Sequence, residues 1–294
     1  MSDAAIRAGL ARLLHIDILA TPAQHIAGGC INQCFRYRTL NGSVFVKVSD
    51  EKSLDIFQAE AVGLQDLRSV DAMRIPEVFG VGLHEGIAML ALEWIDLHRT
   101  TSTSDAKLGE LLAKQHRVVK PLYGYKRANF IGNTPQVNLW SRDWLNFWRE
   151  RRFEAQLNLM ESKGADSDFV ERATFLSVLM DGFFTSYVPI ASLLHGDLWS
   201  GNYAADVSGA PVLFDPAVYY GDRECDIAMT NLFGGFSGEF YSAYQGAWPL
   251  DDGWQQRVEL YNLYHVLNHF NLFGGGYLAQ AEAMVNRLMS ELGH

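Results

Sequence analysis

Along the first third of the chain the apolar positions change period several times. MSDAAIRAGLARLLHIDIL reads as an amphipathic helix, and a turn at Thr21-Pro22 follows. Two β-rich runs then flank Asn41-Gly42, a short-range hairpin signal, with an earlier turn at Gly28-Gly29. Glu51 to Val70 returns to helical spacing, with Leu54, Phe57, Ala61, Leu64 and Leu67 on one face. Apolar runs at Val78 to Leu83 and Ile87 to Ile95, parted by His84-Glu85-Gly86, predict a further hairpin. The pattern changes after Asp96. His98 to Asp105 reads as a linker and helix N-cap, and helical spacing covers Leu108–Val119, Trp140–Met160 and Phe169–Tyr187. Strand-like runs return at Ser192–His195, around Tyr203 and at Val212–Asp215. The tail from Trp254 to Leu292 is helical, broken at Gly274-Gly275-Gly276. The prediction is an α+β, bilobal molecule: a β-rich N-lobe at 1–95 and a mainly helical C-lobe at 96–294.

Composition narrows the function classes. A formal charge of −10 over 294 residues argues against nucleic-acid partners, which need a basic face. No stretch approaches the roughly 18 apolar residues of a membrane span, and the acidic N-terminus has no signal-peptide core. Cys30, Cys34 and Cys225 form neither a CxxC pair nor an even framework, so reduced thiols in a cytoplasmic protein are expected.

The richest segment is LLHGDLWSGNYAADVSGAPVLFDPA. An apolar strand ends at His195, Asp197 follows on a glycine-containing turn, Asn202 comes five residues later, and a second strand delivers Asp215. A turn at Ser208-Gly209-Ala210-Pro211 brings Asn202 and Asp215 together. Phosphoryl transfer requires placed charge more than covalent chemistry. One carboxylate must face the acceptor hydroxyl, while a carboxylate and an amide hold Mg²⁺, which prefers hard oxygen ligands. The pattern H-x-D-x-x-x-x-N followed by a metal aspartate fits a kinase, with Gly196 where protein kinases have Arg. Asp197 is therefore the expected catalytic carboxylate, with Asn202 and Asp215 as metal ligands. Either carboxylate alone would read as a helix cap or a turn residue; the full spacing after two apolar strands favours chemistry. Asp-Pro in place of D-F-G, with no A-P-E segment, argues against a protein kinase.

The N-terminal half supplies what such a site needs. Lys47, in the alternating strand Val44 to Val48, is placed to grip the phosphates of ATP, with Glu60 on the next helix as its ion-pair partner. Gly28 and Gly29 precede that strand, where a phosphate loop would lie, although no G-x-G-x-x-G is present. Glu93, Trp94 and Ile95 fall where the last N-lobe strand would offer backbone groups to adenine. Cys30 lies in the same glycine-containing loop and is a candidate reactive thiol.

Beyond these motifs the sequence resembles the fructosamine-3-kinase (ketosamine-3-kinase) family, of protein-kinase-like fold and related to aminoglycoside and choline kinases. The resemblance runs through nearly the whole chain. It rests on LLHGDLWSGN, VLFDPAVYYGDRECDIAMTNLFGGF, NFIGNTPQVNLWSRDWLNFWRERRFEAQL and LYNLYHVLNHFNLFGGGYL. It implies ATP-dependent phosphorylation of the sugar 3-hydroxyl of ketosamines, meaning fructosamine or ribulosamine adducts of amines, leading to deglycation. It leaves open which amine carries the sugar, whether glycated proteins are included, and the oligomeric state. Asp226 matches an aspartate that is structural in such folds. Trp199, two residues past Asp197, is expected to contact substrate. His265, Asn268 and His269 share one helix as substrate or network residues; without a third ligand they do not make a metal site. Trp140, Trp144, Phe147 and Trp148 are expected in the core. Two other readings remain: another small-molecule kinase of the aminoglycoside or choline type, and a kinase-like binding module without catalysis.

Overall fold

The computed structural model describes residues 1–27 and 32–294. Helix α1 (Asp3–Leu14) begins where Ser2 accepts the Ala5 N–H at 3.2 Å, and it ends at His15 with φ 55°. Its buried Ile6 and Leu10 rest on an antiparallel sheet of β1 (Gln24–Ile26), β2 (Gln33–Thr39), β3 (Gly42–Asp50), β4 (Val78–His84) and β5 (Ile87–Glu93), in the order β1-β2-β3-β5-β4. Period-two alternation in β3 sends Val44, Val46 and Val48 toward α1. Lys47 takes the opposite face, toward α2 (Leu54–Ser69). The buried Phe57, Leu64 and Leu67 fasten α2 to that face, each stabilising by about 1.5–3 kcal/mol. The β2–β3 turn closes over Leu40-Asn41, since Thr39 pairs with Gly42, one residue earlier than the Asn41-Gly42 signal suggested. The β4–β5 turn holds Glu85 and Gly86 at φ 49° and 75°, the mirror-image geometry that matches strand twist.

Thr101 and Ser104 form a capping box that opens α3 (Ser102–His116). The remaining elements are β6 (Asn129–Ile131), β7 (Thr134–Gln136), α4 (Trp144–Trp148), α5 (Glu154–Ser162), α6 (Ser167–Leu179), β8 (Ala191–Leu194), β9 (Tyr203–Ala205), β10 (Pro211–Leu213), β11 (Tyr219–Asp222), α7 (Glu224–Leu232), α8 (Gly238–Ala247), α9 (Trp254–Phe273) and α10 (Tyr277–Glu291). A π-helical turn at Arg149–Phe153 joins α4 to α5. Helix α3 packs on α8, and α9 packs on α5, α7 and α10. One apolar cluster runs from Phe57 and Leu90 through Trp148 to Leu288, so the sheet's α2 face and the helices share a core. Two backbone seams meet the β9–β10 hairpin: the Leu213 N–H donates to Arg74 O at 3.1 Å, and the His98 N–H donates to Ala205 O at 2.7 Å. No helix among the described residues is long and apolar enough to cross a membrane.

Several elements depart from the sequence expectation. The strands β6, β7 and β11 were not predicted, because three or four residues are too few to display alternation. Helix α7 was missed because Glu224 to Thr230 is buried all round and shows no polar face; α8 was missed as well. The helix expected from Trp140 begins at Trp144, where the Asp143 carboxylate accepts the Asn146 N–H at 2.9 Å. Trp140 is accordingly 41% exposed, packed beside Tyr220, rather than in the core with Trp144, Phe147 and Trp148.

Candidate active site

Strand β8 delivers His195, whose buried ring ties two loops together. Its Nδ1 accepts the Asp197 N–H at 3.3 Å, and its Nε2–H donates to Phe214 O at 3.0 Å. That bonding fixes the neutral tautomer, and burial lowers the imidazole pKa. Gly196 turns at φ 83°; a Cβ there would collide with the Ala217 carbonyl. The turn is held from below by Asp226 on α7, whose Oδ2 accepts the His195 N–H at 2.7 Å and whose Oδ1 accepts the Gly196 N–H at 2.8 Å. His116 of α3 contacts the same carboxylate through Nε2 at 3.1 Å, and its Nδ1 meets the Tyr244 hydroxyl at 2.8 Å. Burial alone would raise the Asp226 pKa, but the His116 bond and these neighbours hold it below the ordinary value.

Above this turn the side chains converge. Asn202 donates through Nδ2 to Asp197 O at 2.9 Å and to Asp197 Oδ2 at 3.1 Å. Phe214 N donates back to Asn202 O at 3.2 Å, which sets the hairpin ends side by side. Asp215 stands at φ 57°, an uncommon backbone state for a non-glycine residue. Its Oδ1 accepts from Lys47 Nζ at 2.6 Å, and the same ammonium reaches Glu60 Oε1 at 2.8 Å. Burial would depress the lysine pKa; the Asp215 and Glu60 carboxylates reverse that and keep Lys47 charged. Glu60 is pushed the other way, upward, chiefly by burial. Asp197 rises to about 7, first through burial and then through repulsion from Asp215, against the Asn202 hydrogen bond. No group of three or more His, Cys, Asp or Glu among the described residues could cage a metal. One carboxylate and one amide oxygen, at Asp215 and Asn202, suit an ion such as Mg²⁺ that keeps most of its shell for water and phosphate.

The structure thus brings together Lys47, Glu60, Asp197, Asn202 and Asp215. At the expected adenine end, the Glu93 N–H donates to Glu77 O at 2.8 Å, while the Glu93 carboxylate pairs with Arg74. The Trp94 ring lies under the Arg36 guanidinium at 4.3 Å, and Ile95 is half-buried beside it. Gly28, Gly29 and Cys30 lie outside the described residues. Of the α9 residues, His265 and Asn268 are buried in the helical core: His265 keeps an unpartnered Nδ1, and Asn268 accepts from Gln156 at 3.4 Å. Burial pushes the His265 pKa down to about 3. His269 instead reaches the site's rim. Its ring centroid is 4.6 Å from that of Phe233, which is 6.2 Å from that of Trp199. Sequence reasoning missed His195, His116 and Phe233. The first sat in a recognised motif without a role, and the other two carry no local signal because their partners are distant in the chain.

The family profile described as fructosamine kinase matches residues 3–291. A Synechocystis protein provisionally named a ketoamine kinase is 40% identical over 90% of this chain and 89% of its own. A chloroplastic protein-ribulosamine 3-kinase of Oryza sativa subsp. indica is 39% identical over 90% of this chain and 78% of its own. A Haemophilus somnus 129PT crystal structure, provisionally named a fructosamine-3-kinase, superposes with TM-score 0.87 at 27% identity, covering 97% of both chains. Aminoglycoside phosphotransferase APH(4)-Ia shares the fold, with TM-score 0.66 at 14% identity over 99% of both chains.

Proposed function

The chain belongs to the fructosamine kinase family, and from that premise we propose that it transfers the γ-phosphoryl group of ATP to the 3-hydroxyl of ketosamines, small fructosamine or ribulosamine adducts, so that they can break down. The observation that carries this reading is the meeting of Lys47 with Asp215, 168 positions apart, directly beside Asp197 and Asn202. Residues 1–95 would hold the nucleotide and 96–294 the acceptor. Lys47, oriented by Glu60, faces the phosphates; the backbone at Ile95 meets the adenine edge, since the Glu93 N–H already has a partner.

Asp215 and Asn202 would hold Mg²⁺, which when bound neutralises phosphate charge. Asp197 accepts the proton of the sugar hydroxyl as its oxygen forms a bond to the γ-phosphorus. The bond from that phosphorus to the β–γ bridging oxygen breaks, and ADP departs with the electron pair. A carboxylate raised to about 7 is well matched to such a proton at neutral pH. A cytoplasmic setting, where ATP is available, accords with the free thiols of Cys34 and Cys225. The test is incubation of synthetic fructosamine and ribulosamine adducts with Mg-ATP, following ADP release and locating the phosphate by NMR. Phosphate on O3 is the expected product; phosphorylation only of aminoglycosides or choline in a parallel panel would replace this acceptor.

A further inference from the structure

The catalytic carboxylate stands at one end of a row of rings. From Trp199, on the Asp197 loop, ring contacts continue to Phe233 at 6.2 Å and His269 at 4.6 Å, and from His269 to Phe273 at 5.7 Å and Tyr277 at 5.2 Å. Unlike the buried Trp144, Phe147 and Trp148, all five keep solvent-accessible surface, and Phe273 is 56% exposed. Phe273 is exposed and the other four rings are half-buried, so the row is partly open to solvent. Two glycine-flanked segments supply three of its rings, Phe233 before Gly234-Gly235 and Phe273 and Tyr277 across three glycines. Nothing lies within 4 Å of where a Cβ would stand on Gly234, Gly274, Gly275 or Gly276, so open space adjoins these glycines beside Phe233, Phe273 and Tyr277.

The polar chemistry of the row is equally selective. His269 Nδ1 donates to His265 O at 2.7 Å, which leaves Nε2 as an acceptor in the neutral ring, and burial lowers its pKa and so favours that uncharged form. A neutral imidazole between aromatic rings tolerates a nearby ammonium, which the faces of such rings attract. No lysine or arginine contacts the row among the described aromatic and cation contacts. We infer that Trp199, Phe233, His269, Phe273 and Tyr277 form the subsite for the amine side of the acceptor, and that it selects ketosamines of aromatic or large apolar amines. The inference rests on the proposed ketosamine acceptor. The sugar lies by Trp199, the secondary ammonium beside Phe233 and His269, and the carrier runs out over Phe273 and Tyr277.

The experiment compares two fructosamines of the same sugar, made from benzylamine and from glycine, by kcat/KM with Mg-ATP. The benzylamine adduct is expected to be better by about tenfold, as for one well-filled apolar pocket. In Phe273→Ala and Tyr277→Ala that ratio falls toward one; being a ratio, it does not depend on the fraction of each variant that folds. Equal kcat/KM for the two adducts in the wild type, or a ratio unmoved by both substitutions, overturns the inference while leaving the kinase reading intact. ADP release with neither adduct overturns the acceptor assignment and this subsite with it.

Discussion

At Asp197 the needs of folding and of the proposed chemistry conflict. Burial and the neighbouring Asp215 raise its pKa to about 7, so the folded chain binds this proton more tightly than the unfolded chain does. The sign follows: stability from this group is full below the ordinary carboxylate pKa near 4 and is lost as pH climbs through about 7. The proposed proton transfer needs the opposite, the bare carboxylate, so log kcat/KM should fall with unit slope below about pH 7. Asp197→Asn is therefore expected to lower kcat by about 10²–10⁴-fold and to raise Tm at pH 8, with the Tm gain vanishing near pH 4. Calorimetry and initial rates across pH check both limbs; near-normal turnover by this variant removes Asp197 from the proposed role.

Among elements, the decisive contacts join α3, α7 and the turn after β8. His116 is completely buried and reaches Asp226 across 110 positions of sequence. Replacing it with Leu leaves a buried carboxylate short of a donor, an expected loss of about 1–3 kcal/mol in urea unfolding, with His116→Gln retaining part of it. An unchanged midpoint in His116→Leu would show that the contact is inert. This contact also marks where the sequence stops being readable. Lys47, Glu60, Asp197, Asn202 and Asp215 were legible because each sits at a fixed offset on an alternating strand, a turn or an amphipathic helix. His116 looked like any polar residue near a helix end, since what defines it is a partner brought close only by folding. Helix α7 was illegible for a related reason: burial on every side erases the periodic contrast by which helices are recognised.

Across the whole molecule, the bilobal arrangement was predictable from the switch of period near residue 96, but the shared apolar core and the backbone seams were not. Nucleotide should bind the folded chain alone, so Mg-ATP at 100 times its Kd should add about 2.7 kcal/mol of stability, visible as a rise in Tm. Lys47→Met should abolish that rise and lower the starting Tm, because Glu60 is left buried without its cation. A full nucleotide-dependent shift in this variant would place the phosphates elsewhere. The seams at Arg74 and His98 have a mechanical consequence. Both fasten to the same short hairpin whose ends carry Asn202 and Asp215. Two attachment points fix the setting of that hairpin, so a disturbance at either seam is passed to Asn202 and Asp215 together.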